Sequence, residues 1–147
     1  MTGSIDKIWI KTAIGGPMRS ADRATLKAGE GLEGNANQGG DRQVVVMDAQ
    51  RWKRAQDEAG VDLDPIVRRG NVLLSGLPLD GSIGKILQLG ACRIHILGET
   101  HPCEIMDAAH PGLAALLRPD LGGGVYGVVL DGGEIALGQG ASLEVES

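Results

Sequence analysis

The sequence predicts a mainly β fold, closed as a barrel or packed as a sandwich, with two or three short helices. Short apolar segments rich in Val, Ile and Leu recur along the 147 residues, and Gly-rich turns separate them. Many short strands at turn-punctuated intervals are typical of β-barrels and β-sandwiches. Hydrophobic residues make up 42% of the chain, which is enough for a folded core.

The first strand is predicted at residues 5–12, where isoleucines alternate loosely with polar residues. A Gly-rich loop is predicted over 15–41, which is longer than compact domains usually tolerate without a function. Asp48 is suited to cap a helix that runs through residue 58, and Gly60 is suited to end it. This first part of the chain therefore predicts one strand, a loop that could close over a ligand, and one helix.

The rest of the chain is predicted to be rich in strands. Short strands are expected at 44–47, 71–75, 85–89, 93–97, 125–130, 134–137 and 142–146. Asp131-Gly132-Gly133 is a hairpin signal, and helical segments are expected at 103–109 and 113–117. Because the sequence shows neither an internal repeat nor a linker, we expect residues 1–147 to form a single domain.

Composition argues against two classes of partner. The formal net charge is −5 and the aromatic residues are Trp9, Trp52 and Tyr126, with no Phe. Such a chain offers no general attraction to phosphate backbones and few rings on which bases could stack, so no nucleic-acid partner is expected. A signal peptide and a span of roughly 20 apolar residues are both missing, so we expect a cytoplasmic protein with no membrane partner.

The two cysteines differ in their surroundings. Cys92 alternates with isoleucines on one face of a predicted strand, which favours a packing role in the core. Cys103 follows Pro102, and Thr100 can cap a helix there, so its sulfur would lie near a helix N-terminus that stabilises a thiolate. Glu104 has the opposite effect, because a neighbouring carboxylate raises a thiol pKa. A reactive thiol and a packing cysteine both remain open for Cys103, and we expect both cysteines to be free thiols.

Basic residues precede two of the predicted strands. Arg42 comes before one strand, and Arg68 and Arg69 come before another, together with Asn71. Positions at strand ends lie on the rim of a barrel, where these side chains could converge on an anion. The planar guanidinium group suits phosphate or carboxylate. Solvated surface charge is the alternative interpretation.

An ordered set of short motifs resembles a stand-alone MOSC domain, the module named after the C-terminal region of molybdenum cofactor sulfurase. The motifs are Gly-Leu-Glu-Gly at 31–34, Asp-Arg-Gln-Val at 41–44, Arg-Arg-Gly-Asn-Val at 68–72, Ser-Gly-Leu-Pro-Leu at 75–79, Gly84, Leu-Gly-Ala at 89–91, Pro102-Cys103 and Gly-Gly-Glu-Ile-Ala-Leu-Gly at 132–138. Two positions depart from the family pattern, since Asn35 and Gln139 stand where the family often has Asp.

The resemblance implies a MOSC-type β-barrel, related in architecture to the small barrel of pyruvate kinase. It also implies that Cys103 carries sulfur as a persulfide or binds the molybdenum of a pterin cofactor. Carried over by position, Arg42, Arg68, Arg69 and Asn71 would hold the anionic pterin. No pyridoxal phosphate is expected, because no lysine has the sequence context of a Schiff base.

Three functional hypotheses follow from the sequence. The first is a molybdenum cofactor-binding or sulfur-carrier protein that acts through Cys103 and receives sulfur from a donor protein. The second is a molybdenum-dependent reductase of N-hydroxylated compounds, supplied with electrons by a partner protein. The third is a non-catalytic barrel that binds a small anion or another protein. Whether the chain is an enzyme, as a sulfur transferase or an oxidoreductase, therefore stays open at this point.

Overall fold

The computed structural model describes residues 2–13, 16–101 and 104–144, and of residues 104 and 105 the main chain alone. The strands are β1 Thr2–Lys11, β2 Met18–Ala21, β3 Arg23–Lys27, β4 Gly31–Leu32, β5 Val44–Asp48, β6 Val72–Ser75, β7 Ile86–Leu89, β8 Cys92–Glu99, β9 Val125–Asp131, β10 Gly133–Ala136 and β11 Gly140–Leu143. The α-helices are α1 Ala49–Ala59, α2 Glu104–Ala109 and α3 Leu113–Leu117, and single 3₁₀ turns lie at Pro65–Arg68 and Pro119–Leu121.

A closed 7-strand barrel forms the body of the molecule, so the mainly β prediction is confirmed. Around the ring the strands follow the order β1, β11, β7, β8, β9, β5 and β6, and β6 pairs again with β1. The long strand β1 makes the closure possible, because its start pairs with β11, its middle with β6 and its end with β2. A second, three-stranded sheet of β10, β3 and β4 lies beside the barrel.

The barrel interior is filled mainly by aliphatic side chains. Residues such as Ile8, Leu74 and Ile94 are at most 1% exposed and belong to one contiguous cluster. Cys92 lies in the same cluster with no exposed surface, which confirms that it is a packing residue. A smaller cluster around Trp52 and Leu117 packs the three helices together. None of the described helices is long and apolar enough to cross a bilayer.

Local sequence signals located the first helix correctly. Asp48 accepts hydrogen bonds from the backbone N–H groups of Gln50 and Arg51 at 3.0 and 3.1 Å, so it is the N-cap of α1. Gly60 adopts a left-handed conformation with φ 72° and ends the helix. Both features were predicted, because caps depend only on residues one turn apart.

Two predictions about the sheets were wrong. The segment 15–41 was expected to be a loop, but its described residues include β2, β3 and β4, whose partners β1 and β10 are supplied from elsewhere in the chain. The hairpin expected around Gly132 does not form, since β9 belongs to the barrel and β10 pairs with β3. A Cβ at Gly132 would lie 2.5 Å from the Leu26 carbonyl oxygen, so the close approach of β3 requires glycine there.

Candidate functional site

The strand directions bring the predicted basic residues to one rim of the barrel. β5 and β6 are parallel, so the residues before them, Arg42, Arg69 and Asn71, lie at the same end of the sheet. β1 runs antiparallel to β6, which places its last residue, Lys11, at that end as well. The barrel topology therefore gathers four polar side chains that are far apart in the sequence.

These side chains surround a small cavity, which we call the rim cavity. Its volume is about 60 Å³, and its lining is Lys11, Asn35, Asn37, Arg42, Val45, Arg69 and Asn71. A cavity needs about 10–15 Å³ to hold one water molecule, so the rim cavity has room for about four groups of that size. That is the size of one tetrahedral oxyanion.

Each of the three cations in the rim cavity is positioned by a neutral partner. The Lys11 ammonium donates to Asn37 Oδ1 at 2.9 Å, and the Arg69 guanidinium donates to the Gly16 carbonyl oxygen at 2.6 Å. The Arg42 guanidinium carbon lies 4.8 Å from the centre of the Tyr126 ring, a cation–π contact. These contacts fix the three side chains without neutralising their charges.

Among the residues that the structure describes, no acidic side chain lines the rim cavity, and none of its three cations is paired with a carboxylate. Burial and the positive charges of Arg69 and Arg42 lower the pKa of Lys11. The positive charges of the two arginines disfavour the protonated form of Lys11, and the same charges attract an anion. The cavity therefore has the electrostatic character of an anion site.

Two buried asparagines build the floor of the rim cavity. Asn71 Oδ1 accepts from the Val45 N–H at 3.0 Å, and Asn71 Nδ2 donates to the Trp9 carbonyl oxygen and to Asn35 Oδ1, both at 3.2 Å. Asn35 Oδ1 also accepts from the Lys11 backbone N–H at 2.8 Å. Both side chains are less than 7% exposed, since Asn35 is at 6% and Asn71 at 4%. Asn71 thus acts here by positioning the strand ends.

Arg68 lies away from the rim cavity. It is buried at the end of the 3₁₀ turn, and its guanidinium donates to the Gly123 carbonyl oxygen. The next residue, Gly124, accepts a hydrogen bond from the Thr100 N–H at 2.9 Å. Arg68 therefore stabilises the segment 123–124, which in turn hydrogen-bonds the chain just after β8. Its neighbour Arg69 lines the rim cavity instead.

A wider surface groove adjoins the rim cavity. Its volume is about 560 Å³, and its lining is Ala36, Asn37, Gln38, Gly39, Gly40, Asp41, Arg42 and Tyr126. Asn37 and Arg42 line both spaces, so the groove gives access to the cavity. Gln38 pins this segment down by donating to the Leu32 and Asn35 carbonyl oxygens at 2.5 and 2.8 Å. A ligand with an anionic end could place that end in the cavity and its body in the groove.

Cys103, the predicted catalytic and metal-binding residue, lies outside the described residues, as does Pro102. On its N-terminal side His101 Nδ1 lies 3.0 Å from the Glu99 carboxylate, on an exposed surface. Among the described residues, no group of three His, Cys, Asp or Glu side chains could hold a metal ion. The other cysteine, Cys92, has its thiol pKa raised by burial and by the charge of Asp131, so it is a poor nucleophile.

Sequence reasoning missed Lys11, Asn35 and Asn37. Asn35 was noted only as a departure from the family pattern, and Asn37 only as part of a Gly-rich loop. The sequence signal for Lys11 was its position at the end of the first strand. That position indicates the rim only when β1 is known to run antiparallel to β6. That pairing is not readable from the residues alone.

Comparison with known proteins decides the family. The model of the MOSC domain matches residues 25–142, which is most of the chain. The chain belongs to the MOSC domain family. The matched range includes every predicted site residue, whereas Lys11 precedes it. A search among curated proteins finds no significant match.

Solved structures share the fold of this MOSC domain. The YuaD protein of Bacillus subtilis superposes with a TM-score of 0.81 at 18% identity, covering 100% of this chain and 98% of that one. YiiM of Escherichia coli gives 0.73 at 19% identity, covering 100% and 71%. YiiM of Geobacillus stearothermophilus gives 0.71 at 19% identity, covering 97% and 75%. At these identities the likeness establishes the fold alone.

The MOSC domain family is linked to molybdenum cofactor binding. The rim cavity is compatible with such a ligand, because the pterin of that cofactor carries an anionic group and the cavity offers three cations, with no competing carboxylate among the described residues that line it. Its size suits one oxyanion, and the adjoining groove has room for a larger body.

Proposed function

We propose that this MOSC domain binds the molybdenum cofactor or carries sulfur, with Cys103 as the molybdenum ligand or persulfide carrier. The rim cavity holds the anionic end of the pterin. A thiolate suits both roles, since it is a soft ligand for molybdenum and the nucleophile that accepts sulfane sulfur. In the carrier role the Cys103 thiolate takes the terminal sulfur of a donor protein's persulfide, and the donor's thiolate leaves.

The observation that carries the proposal is the cluster of Lys11, Arg42 and Arg69 around one cavity whose described lining residues include no carboxylate. Concentrating like charges costs stability, so the cluster is explained best by a bound anion that offsets their repulsion. Arg42 and Arg69 would contact the anion through guanidinium N–H groups, and Lys11 would contribute a point charge. When bound, the cofactor supplies a molybdenum atom that a thiolate can ligate.

The test is to express the protein in a host that makes molybdenum cofactor and to measure molybdenum and persulfide per chain. In Cys103→Ser the signal found in the wild type should be lost while the melting temperature stays nearly unchanged. Cys92→Ser should retain the signal but lose stability, by about 1–3 kcal/mol, because it places a hydroxyl in an apolar core. The reverse pattern would mean that the roles of the two cysteines are exchanged.

The cavity itself is tested by charge removal at an exposed position. Arg42→Gln should lower molybdenum retention at least about ten-fold, because a hydrogen bond to a charged group contributes about 1.5–3 kcal/mol. Lys53→Gln removes the same charge from the exposed face of α1, where Lys53 pairs with Asp57, and should change nothing. If Arg42→Gln retained as much molybdenum as the wild type, the cofactor would not bind at the rim cavity.

A non-catalytic anion-binding barrel is the second candidate, and the rim cavity favours it because its three cations suit a small oxyanion without the help of a thiol. In that case inorganic phosphate should bind and raise the melting temperature of the wild type and of Cys103→Ser alike. Neither molybdenum nor persulfide would then be found in the purified protein. If the rise in melting temperature with phosphate disappears in Arg42→Gln, the phosphate binds in the rim cavity.

A further inference from the structure

Lys11 differs from the other lysines of the chain. It is half-buried at the rim cavity, whereas Lys7, Lys27, Lys53 and Lys85 are exposed. Its ammonium faces two guanidinium groups, and its partner is the neutral Asn37 oxygen at 2.9 Å. Lys53 has the opposite surroundings, because it pairs with Asp57 one turn along α1 at 2.9 Å.

These surroundings shift the two amines in opposite directions. Burial and the charges of Arg69 and Arg42 lower the pKa of Lys11, whereas the hydrogen bond from Lys53 to Asp57 raises the pKa of Lys53. Only the unprotonated amine has a lone pair for attack, so a lysine beside other cations is activated as a nucleophile. The unprotonated Lys11 amine still has N–H groups to donate to Asn37, which keeps it at the cavity.

We propose that Lys11 is a covalent modification site, acylated by small acyl phosphates whose phosphate group is held by Arg42 and Arg69. The proposal rests on the anion-binding part of the proposed function. The three cations line one cavity whose size fits a phosphate group, so a bound acyl phosphate has its carbonyl carbon beside the amine. Holding two reactants in one site raises the rate of their reaction.

The reaction needs no oxidant and no further reagent. The Lys11 nitrogen attacks the carbonyl carbon, an N–C bond forms, and the bond between that carbon and the phosphate oxygen breaks. Inorganic phosphate leaves with the bonding electron pair, and the amine proton passes to solvent. The guanidinium groups of Arg42 and Arg69 stabilise the negative charge that builds on the departing phosphate.

Acylation would regulate the same site. The amide that forms carries no charge, so the rim cavity loses one of its three cations. The acyl group also occupies part of a cavity of about 60 Å³. A modified chain should therefore bind inorganic phosphate more weakly than an unmodified one.

The test is to incubate the purified full chain with acetyl phosphate and to follow acetylation of each lysine by peptide mass spectrometry. Lys11 should react about ten-fold faster than Lys53. Excess inorganic phosphate should slow Lys11 and leave Lys53 unchanged. A neutral acetyl donor, N-hydroxysuccinimidyl acetate, should show a smaller preference for Lys11, because it has no phosphate for the arginines to hold.

Arg42→Gln is the matched variant, since Arg42 is exposed and its loss should leave the fold intact. In this variant the rate at Lys11 should fall several-fold while the rate at Lys53 stays the same. A rate at Lys11 equal to or below that at Lys53 in the wild type would overturn the proposal. The same preference for Lys11 with both acetyl donors would overturn it too, because the phosphate would then play no part.

These outcomes are distinct from those of the proposed function. Loss of molybdenum in Arg42→Gln, together with an unreactive Lys11 in the wild type, would support the proposed cofactor binding and refute acylation. A reactive Lys11 protected by phosphate, in a protein without molybdenum or persulfide, would support acylation and refute the cofactor role. Cofactor binding is measured as molybdenum or persulfide content and acylation as a rate of acetylation. Failure of one proposal therefore cannot be mistaken for failure of the other.

Discussion

Asn71 joins three parts of the chain through one amide group. Its side chain bonds the Val45 N–H of β5, the Trp9 carbonyl of β1 and the Asn35 side chain of the segment after β4. Its own backbone continues the same connection, since its N–H donates to the Val45 carbonyl and its carbonyl accepts from the Trp9 N–H. The side-chain amide of Asn71 thus supplies hydrogen bonds in place of those between strands, at the point where the ends of β1, β5 and β6 diverge.

Asn71→Ala should therefore lower the stability of the fold and the affinity of the rim cavity together. The buried Val45 N–H would lose its partner, which costs about 1–3 kcal/mol. Chemical denaturation and calorimetric titration with inorganic phosphate would measure the two effects. Asn37→Ala is the control, because Asn37 is exposed and should affect phosphate binding with little change in stability.

Three cations at one cavity also have an energetic consequence at the residue scale. Burial and the charges of Arg69 and Arg42 lower the pKa of Lys11, so part of the shift reflects a repulsion among the three cations that a bound anion would relieve. A ligand that binds only the folded state stabilises it by mass action. The rim cavity therefore couples anion binding to the packing of the β1, β5 and β6 ends.

At the scale of the elements, a buried arginine adds hydrogen bonds to the apolar packing between α1 and α3. Arg51 is 6% exposed, and its guanidinium donates to the Leu116 carbonyl oxygen at 2.6 Å and to the Pro119 carbonyl oxygen at 3.0 Å. The Leu116 carbonyl lies in the last turn of α3, where intrahelical donors are missing, and Pro119 begins the 3₁₀ turn that follows. Arg51 thus supplies the C-terminal cap of one helix from the first turn of another.

Arg51→Met should loosen the helical layer and leave the barrel folded. The aliphatic part of the side chain is kept, but the two carbonyls lose charged donors, so we expect a loss of about 1.5–3 kcal/mol. Arg54→Met on the same helix is the control: Arg54 is about half exposed and paired with Asp120 and Glu58, so its loss should cost less than about 1 kcal/mol. Urea denaturation measures both, and equal losses would contradict the capping role.

At the scale of the whole molecule, an ion-pair network on the outside of the barrel spans four strands that are consecutive around the ring, β11, β7, β8 and β9. Arg93 of β8 contacts Glu144, the residue after β11, at 2.7 Å through Nε and at 3.1 Å through Nη2. The same guanidinium contacts Asp131 at the end of β9 at 3.1 Å. Glu144 also donates its backbone N–H to the Ile86 carbonyl of β7. Together these contacts tie the end of β11 to β7, β8 and β9.

This network predicts a pH dependence of stability. The Arg93 hydrogen bond holds the pKa of Glu144 below its ordinary value of 4.5. The resulting stabilisation is present above that value and is lost as the pH falls through the lowered pKa. Glu144→Gln should therefore be less stable than the wild type at neutral pH, and the difference should shrink in acid.

Melting temperatures measured from about pH 7 down to about pH 3 would test this dependence. Glu134→Gln is the control, because Glu134 pairs with Arg23 at 3.4 Å with both side chains more than half exposed. Its loss should matter little at any pH. A difference for Glu144→Gln that stays constant through the acid range would contradict the role of its charge.

Some of the fold could be predicted from the sequence because it depends on neighbouring residues. The caps of α1, the segment 113–117 of α3 and the positions of most barrel strands follow from local patterns of polarity and turn residues. Burial of Cys92 follows from alternation along β8. The strands of 18–32 were missed because each is short and polar enough to resemble a loop until its partner strand is known.

By itself, then, the sequence determined a barrel-forming set of strands, the helix α1 and a group of arginines able to bind an anion. Only the tertiary structure decided which of these residues meet. It turned Arg69 to the rim cavity and Arg68 to the Gly123 carbonyl, although the two are adjacent in the chain. It also added Lys11 to the cavity, through a β1–β6 pairing that sets Ile8 opposite Val72. Strand order and register arise from contacts between distant segments, and no local pattern encodes them.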